Sequence, residues 1–308
     1  LVRYVQADRE LLDRVRPDLV ISDLRLSLHT ASALAGVRQL TLVNAHWSLA
    51  SAVRLPAPQG GMFGRLSPTL REACFALLRP LALRVFPGPL HHLRRLHGQP
   101  PLADMRHYFC AGDFCAYLDL PEFNPLPRVP VGHFYLGPVT WAPAQPPPPL
   151  DRLPADSPLA YVTMGSTGDT RLLPEILSAV LASGFNILVS GVDDQAASNL
   201  ACRIPGLGER WAWGRCFDPG ALLHRAALTV CHGGSGTVYQ SLRHGVPVLC
   251  LPGNPDQAMV AEGLRQAGAG LVLAPESATP GRLAKAIGAT VGLGAVAIAF
   301  TFPASKPR

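Results

Sequence analysis

The chain has 308 residues, 48% of them hydrophobic and only 16% charged, which is apolar enough for two domains with buried cores and argues against a disordered chain. The formal net charge of +6 comes almost wholly from arginine, with lysine only at Lys285 and Lys306. The arginines are scattered rather than clustered, so no nucleic-acid partner is expected, although a weakly basic surface favours anionic ligands. Seven cysteines lack CxxC or CxxH spacing, which argues against a zinc site or disulfide framework and for reduced thiols in the cytoplasm. The opening LVRYVQADRE shows no signal-peptide pattern, and the apolar stretch from Leu293 to Phe302 is half as long as a membrane span.

In chain order, Leu19 to Ser22 (LVIS) reads as a buried strand running to Asp23, and Leu40 to Val43 (LTLV) as a second, with a helix-like segment between them. Residues 69–86 have helical spacing interrupted at Pro80. The basic run from Arg79 to His97 invites a membrane-surface reading, but Pro87 and Pro89 break it, so acceptor-site helices are favoured over membrane contact. This first domain, residues 1–140, is expected to be incomplete, since a doubly wound domain calls for strands ahead of residue 19. The uninterrupted run Pro146 to Pro149 prefers extended polyproline geometry and marks a linker at residues 141–157.

Beyond the linker the pattern alternates. Leu159 to Met164 reads as a strand ending at Gly165-Ser166. It is followed by a helix carrying Ile176, Leu177, Val180 and Leu181, then a strand at Asn186 to Ser190. Leu228 to Cys231 reads as a further strand, followed by HGGSGT, a helix to His244, a strand at Pro247 to Leu251, a helix from about Asp256 to Gln266 and a strand at Leu271 to Leu273. This succession predicts an α/β fold with a parallel sheet, a Rossmann-like domain over residues 158–290. Residues 291–308, Gly-rich and nearly uncharged, are set apart as an atypical tail with the look of a truncated end.

The segment Cys231 to Thr237 (CHGGSGT) lies between a strand and a helix. Gly233, Gly234 and Gly236 permit a sharp turn and close approach of a ligand, and the amides opening the next helix favour an anion. Ser235 and Thr237 add hydroxyl donors and His232 an imidazole, a combination suited to pyrophosphate. It is not a P-loop, having no lysine, nor the dinucleotide fingerprint, because Tyr239 stands where the third glycine belongs. A purely structural glycine turn remains the alternative.

The longer stretch from Phe217 to Gly270 resembles the donor-binding signature of family 1 glycosyltransferases, the group that includes UDP-glucuronosyltransferases and bacterial macrolide glycosyltransferases. An aromatic-x-Pro segment, a Leu-Leu pair, HGGxGT, GxP, a Pro followed by Asp-Gln, and GxG occur here in the family's order. The resemblance implies a GT-B fold, two Rossmann-like domains facing a cleft. It implies that His232, Gly234, Ser235, Gly236 and Thr237 hold the donor diphosphate and that Gly165 and Ser166 approach it from the first strand. Phe217 would stack on the base, and Asp256 and Gln257 would read the sugar hydroxyls. Gln240 stands where many members carry a ribose-binding Glu, and a neutral amide offers one acceptor oxygen where a carboxylate offers two.

The same resemblance implies an inverting hexosyltransferase that moves a hexose from a UDP or TDP sugar to a hydroxyl of a small molecule or lipid, without cofactor or metal. Members use a His base steered by an Asp. The run PDLVISD makes Asp23 the candidate orienting acid, and the base is expected upstream of Leu1, so the chain itself could be inactive. The alternatives are a nucleotide-sugar epimerase or hydrolase of the same fold, or a non-catalytic nucleotide-sugar binder. Oligomeric state is not predicted.

Overall fold

Parallel strands cannot be joined by tight turns, so each needs a crossover. The chain is described by a computed structural model covering residues 1–58, 63, 66–140 and 146–294. Residues 141–145 of the expected linker and 295–308 of the expected tail lie outside the described residues. Two compact units result, Leu1–Pro138 and Val139–Arg308.

The first unit runs α1 (Val2–Val15), β1 (Leu19–Asp23), α2 (Leu28–Ala35), β2 (Arg38–Val43), α3 (Pro68–Val85), α4 (Gly88–Leu96), α5 (Met105–Phe109), β3 (Phe114–Tyr117) and β4 (His133–Tyr135). Its four strands pair in parallel in the order β1-β2-β3-β4. Val5 and Leu12 of α1 pack with Leu28 and Ala31 of α2 and Leu93 of α4 to form a core on one face. The predicted interruption at Pro80 does not occur, and α3 runs unbroken through it. A proline inside a helix loses one backbone hydrogen bond, and here the ring sits exposed while Phe75 is buried and Leu83 packs against Leu90, Met105 and Tyr108, so docking offsets the loss. The break expected at Pro87 is present, with Phe86 and Pro87 separating α3 from α4, whereas Pro89 breaks nothing because it sits in the first turn of α4, where a proline's missing N–H is not needed.

The second unit runs β5 (Leu159–Thr163), α6 (Leu173–Ala182), β6 (Asn186–Ser190), α7 (Asp194–Arg203), β7 (Trp211–Gly214), α8 (Pro219–Leu223), β8 (Ala226–Cys231), α9 (Ser235–Arg243), β9 (Val248–Cys250), α10 (Pro255–Gln266), β10 (Gly270–Val272) and α11 (Pro280–Gly292). All six strands are parallel, in the order β10-β9-β8-β5-β6-β7. Every residue of β6 and β9 is buried, as expected for strands covered on both faces. Ile176, Leu177 and Val180 of α6 and Leu283 and Ile287 of α11 close one face over Ala160, Val162, Leu228 and Val230.

From β5 the chain builds outward through β6 and β7, then returns to β8 on the other side of β5 and continues to β9 and β10. The loops after β5 and β8 therefore leave adjacent strand ends in opposite directions. Such a switch point opens a crevice at the carboxyl edge of an open α/β sheet.

Candidate functional site

A cavity of about 490 Å³ occupies this switch point. Gly165, Ser166 and Thr167 come from the loop after β5, and His232 and Gly234 from the loop after β8. Ser235, Gly236 and Thr237 form the first turn of α9, and Asn254, Asp256 and Gln257 come from the start of α10. No arginine or lysine is among these residues, so attraction for an anion falls to the His232 imidazole, to side-chain hydroxyls and to backbone dipoles.

Helix α9 supplies the dipoles. Its N-cap is Gly234, and no side chain caps it. The first-turn amides of a helix have no intrahelical acceptor and carry the positive end of its dipole, so the amides of Ser235, Gly236 and Thr237 point donors at the cavity. At α10, by contrast, the Asn254 side chain accepts a hydrogen bond from the Gln257 amide at 3.0 Å, with Pro255 in the first turn. Asp256 is therefore not the cap of its helix, and it lines the cavity from the second position of α10.

His232 is buried and is packed between two glycines. A Cβ on Gly165 would collide with its Cε1, and one on Gly234 would lie 2.6 Å from its Nε2. Gly165 also holds a φ of +55°, in the left-handed region, and its amide donates to Thr163 Oγ1 at 3.2 Å. Burial holds the imidazole pKa below its usual range, with the Thr163 backbone carbonyl pulling the other way. The ring is thus neutral at pH 7, ready to donate one hydrogen bond or to gain a proton beside an anion.

Gln257 is buried, and both ends of its amide are engaged. Its Oε1 accepts from the Gly253 amide at 2.8 Å and its Nε2 donates to Thr167 Oγ1 at 3.0 Å. It braces the β5 loop against the start of α10 across the cavity wall.

The structure thus brings together nine of the residues singled out in the sequence: Gly165, Ser166, His232, Gly234, Ser235, Gly236, Thr237, Asp256 and Gln257. It does not bring Phe217 or Gln240 to the lining. Phe217 is buried with Leu188, Ala212 and Leu222, its ring against Gly214. Gln240 is half-buried on α9, where its carbonyl faces His244 Nδ1 at 2.8 Å. Asp23 stands exposed at the end of β1 in the first unit. Thr167 and Asn254 were not singled out. Asn-Pro ahead of a helix signals a cap, whereas the role of Thr167 depends on a partner ninety positions away. Among the described residues, no group of three or more His, Cys, Asp or Glu side chains could hold a metal ion.

Comparison with known proteins places these features in a wider setting. Residues 215–299 match the family described as Erythromycin biosynthesis protein CIII-like, C-terminal domain. The chain is 37% identical over 279 residues to a PGL/p-HBAD biosynthesis glycosyltransferase of Mycobacterium tuberculosis, covering 90% of this chain and 63% of that protein. It is 36% identical over 290 residues to a PGL/p-HBAD biosynthesis rhamnosyltransferase of Mycobacterium bovis, covering 93% of this chain and 63% of the relative. The chain therefore spans less than two thirds of these relatives' length. Among solved structures, the glycosyltransferase VinC in complex with DTDP matches with a TM-score of 0.60 at 20% identity, over 96% of this chain and 72% of that one. That likeness shows the fold, which is GT-B.

Proposed function

We propose that the chain acts as a family 1 glycosyltransferase, a reading supported by its likeness to glycosyltransferase relatives, and that its second unit holds the diphosphate of a nucleotide sugar. The protein then moves a hexose from that donor to a hydroxyl of a small-molecule or lipid acceptor, with inversion. The observation that carries this reading is the uncapped first turn of α9 facing a cavity that also contains His232 and Asp256. In a transfer reaction the diphosphate leaves with growing negative charge. Fixed donors aimed at that charge stabilise it without reorganising. The amides of Ser235, Gly236 and Thr237, the hydroxyls of Ser235 and Thr237 and the His232 imidazole are such donors. Asp256 supplies an acceptor for sugar hydroxyls on the neighbouring wall, and Gln257 acts through the loop it braces. The donor is of the TDP or UDP type, the DTDP complex of VinC supporting the former. Asp23 is retained as the carboxylate that would steer a base imidazole, and the protein is assigned to the cytoplasm.

Calorimetric titration of the chain with TDP, UDP and their hexose and deoxyhexose derivatives tests the donor site. Saturable one-to-one binding of at least one nucleoside diphosphate is expected. Asp256→Ala is expected to weaken the intact nucleotide sugar while leaving the bare diphosphate nearly unchanged. No heat from a folded sample with any of these ligands would remove the donor-site assignment.

A further inference from the structure

Helix α3 turns an apolar face to solvent. Leu77 is 85% exposed, Phe86 74% and Val85 64%, and Leu70, Leu78 and Leu81 are also exposed. At about 100° per residue, Leu70, Leu77, Leu78, Leu81 and Val85 fall within roughly 100° of helix arc. A stripe of that width ordinarily faces a core. The core-facing side of α3 is a different one. Phe75 is buried, and Arg79 there donates to the Leu55 carbonyl at 2.7 Å and pairs with Glu72 at 3.0 Å. Among the described residues, the helix is docked on one side and exposed on the other.

The surrounding charge identifies what covers the open side. From Ala73 to Ala103 the chain has no Asp or Glu, and of its four arginines Arg79 is held on the docked side and Arg94 is buried, which leaves Arg84 and Arg95 as the exposed cations. Arg84 is exposed and falls on the helical wheel just beside the stripe, and Arg95 is exposed on α4. Apolar side chains bordered by cations, with no carboxylate among them, suit a surface that has an acyl layer beneath anionic head groups. A second copy of the chain would bring like charges together. A spanning arrangement would bury Arg79 and Arg84 in hydrocarbon and pull α3 from its packing.

We propose that the exposed face of α3 docks this protein on an anionic phospholipid bilayer, with the helix lying in the plane of the interface. Leu77, Leu81 and Val85 enter the acyl boundary and Arg84 and Arg95 meet the head groups. The test is co-sedimentation of the full chain with vesicles of phosphatidylcholine alone or mixed with phosphatidylglycerol, at low and high salt. Partition is expected to favour the anionic vesicles by roughly tenfold or more and to weaken in salt. The double substitution Leu77→Ser and Leu81→Ser is expected to lower it about tenfold, with only a small drop in the thermal melt because both side chains are mostly exposed and serine is a somewhat poorer helix former. Arg84→Gln, which leaves the stripe intact, is expected to lower it about fivefold. Absence of binding to anionic vesicles would overturn the proposal, as would equal partition of the wild type and the double variant. So would a concentration-dependent dimer, seen by sedimentation velocity, that the double variant abolishes without any vesicle binding by the wild type.

Discussion

The imidazole of His232 reaches the cavity because residues 165 and 234 have no side chains. Replacing His232 with Ala is expected to weaken nucleoside diphosphate binding by about 1.5–3 kcal/mol if the ring makes a charge-assisted hydrogen bond to phosphate. Gly165→Ala is expected to weaken binding as well, by a different route. The new methyl would strike Cε1 of the ring, and the left-handed backbone at φ +55° would become strained. The two changes should not add. Without the imidazole, the methyl has no ring to strike, so Gly165→Ala in the His232→Ala background should cost only the backbone strain, on the order of 1 kcal/mol. Titration of all four proteins with TDP measures the coupling. Strict additivity would mean that residues 165 and 232 act separately and that the packing of ring on glycine has no part in binding.

At the scale of elements, the cavity depends on two loops keeping their places, and the hydrogen bond from Gln257 to Thr167 ties them together. Thr167→Val removes the acceptor while keeping the shape. It is expected to leave the Gln257 amide underused and to cost about 1 kcal/mol, with faster hydrogen exchange at residues 165–168 and a several-fold loss of donor affinity. Gln257→Glu, which can still accept from the Gly253 amide and from the Thr167 hydroxyl, should retain more affinity than Gln257→Leu. Equal exchange rates in Thr167→Val and wild type would show that the β5 loop holds itself.

This tie was not legible in the sequence, since a contact between residues ninety apart leaves no period. The elements it joins were legible. Strand β8, the HGGSGT turn, α9 and α10 were legible to within two residues, because glycines bound them and their strands are apolar. Strands β3, β4 and β7 went unread. They are three or four residues long, too short for an alternation to register, and His133 and the Trp211/Trp213 pair do not resemble the aliphatic runs of buried strands. Helix α1 also went unread, because its buried positions Val5, Asp8 and Leu12 include a carboxylate while Tyr4, Leu11 and Val15 are exposed, which blurs any apolar stripe. Pro80 misled because its cost was counted locally, whereas the packing that offsets it comes from α4 and α5.

For the molecule as a whole, a basic protein with buried neutral imidazoles should be sensitive to mild acid. His29, on α2, lines a second cavity of about 330 Å³ with Arg38, Gln39 and Asp113. Burial, reinforced by the Arg94 cation and partly opposed by Asp113, lowers its pKa from 6.5 to about 4. Above pH 6.5 His29 is neutral in both folded and unfolded chains and stability does not depend on it. Between pH 6.5 and about 4 the unfolded chain takes up a proton that the folded chain refuses. The unfolded state then binds more protons, so stability falls as pH falls. At about 1.4 kcal/mol per pH unit the loss across this window is on the order of 2–3 kcal/mol. Asp104 has a pKa lowered from 3.8 and Glu262 one lowered from 4.5, so their contributions start to be lost at the acid end of this window and go mostly below it. His133 and His232 are lowered by burial in the same direction and keep some acid sensitivity in any single variant. His29→Gln is therefore expected to flatten the pH dependence of urea unfolding between pH 6.5 and 4 by about one proton equivalent without removing it. Unfolding curves at several pH values across the window read this slope directly. An unchanged slope in His29→Gln would mean that the imidazole is solvated in the folded chain and that the α2 cavity admits the proton freely.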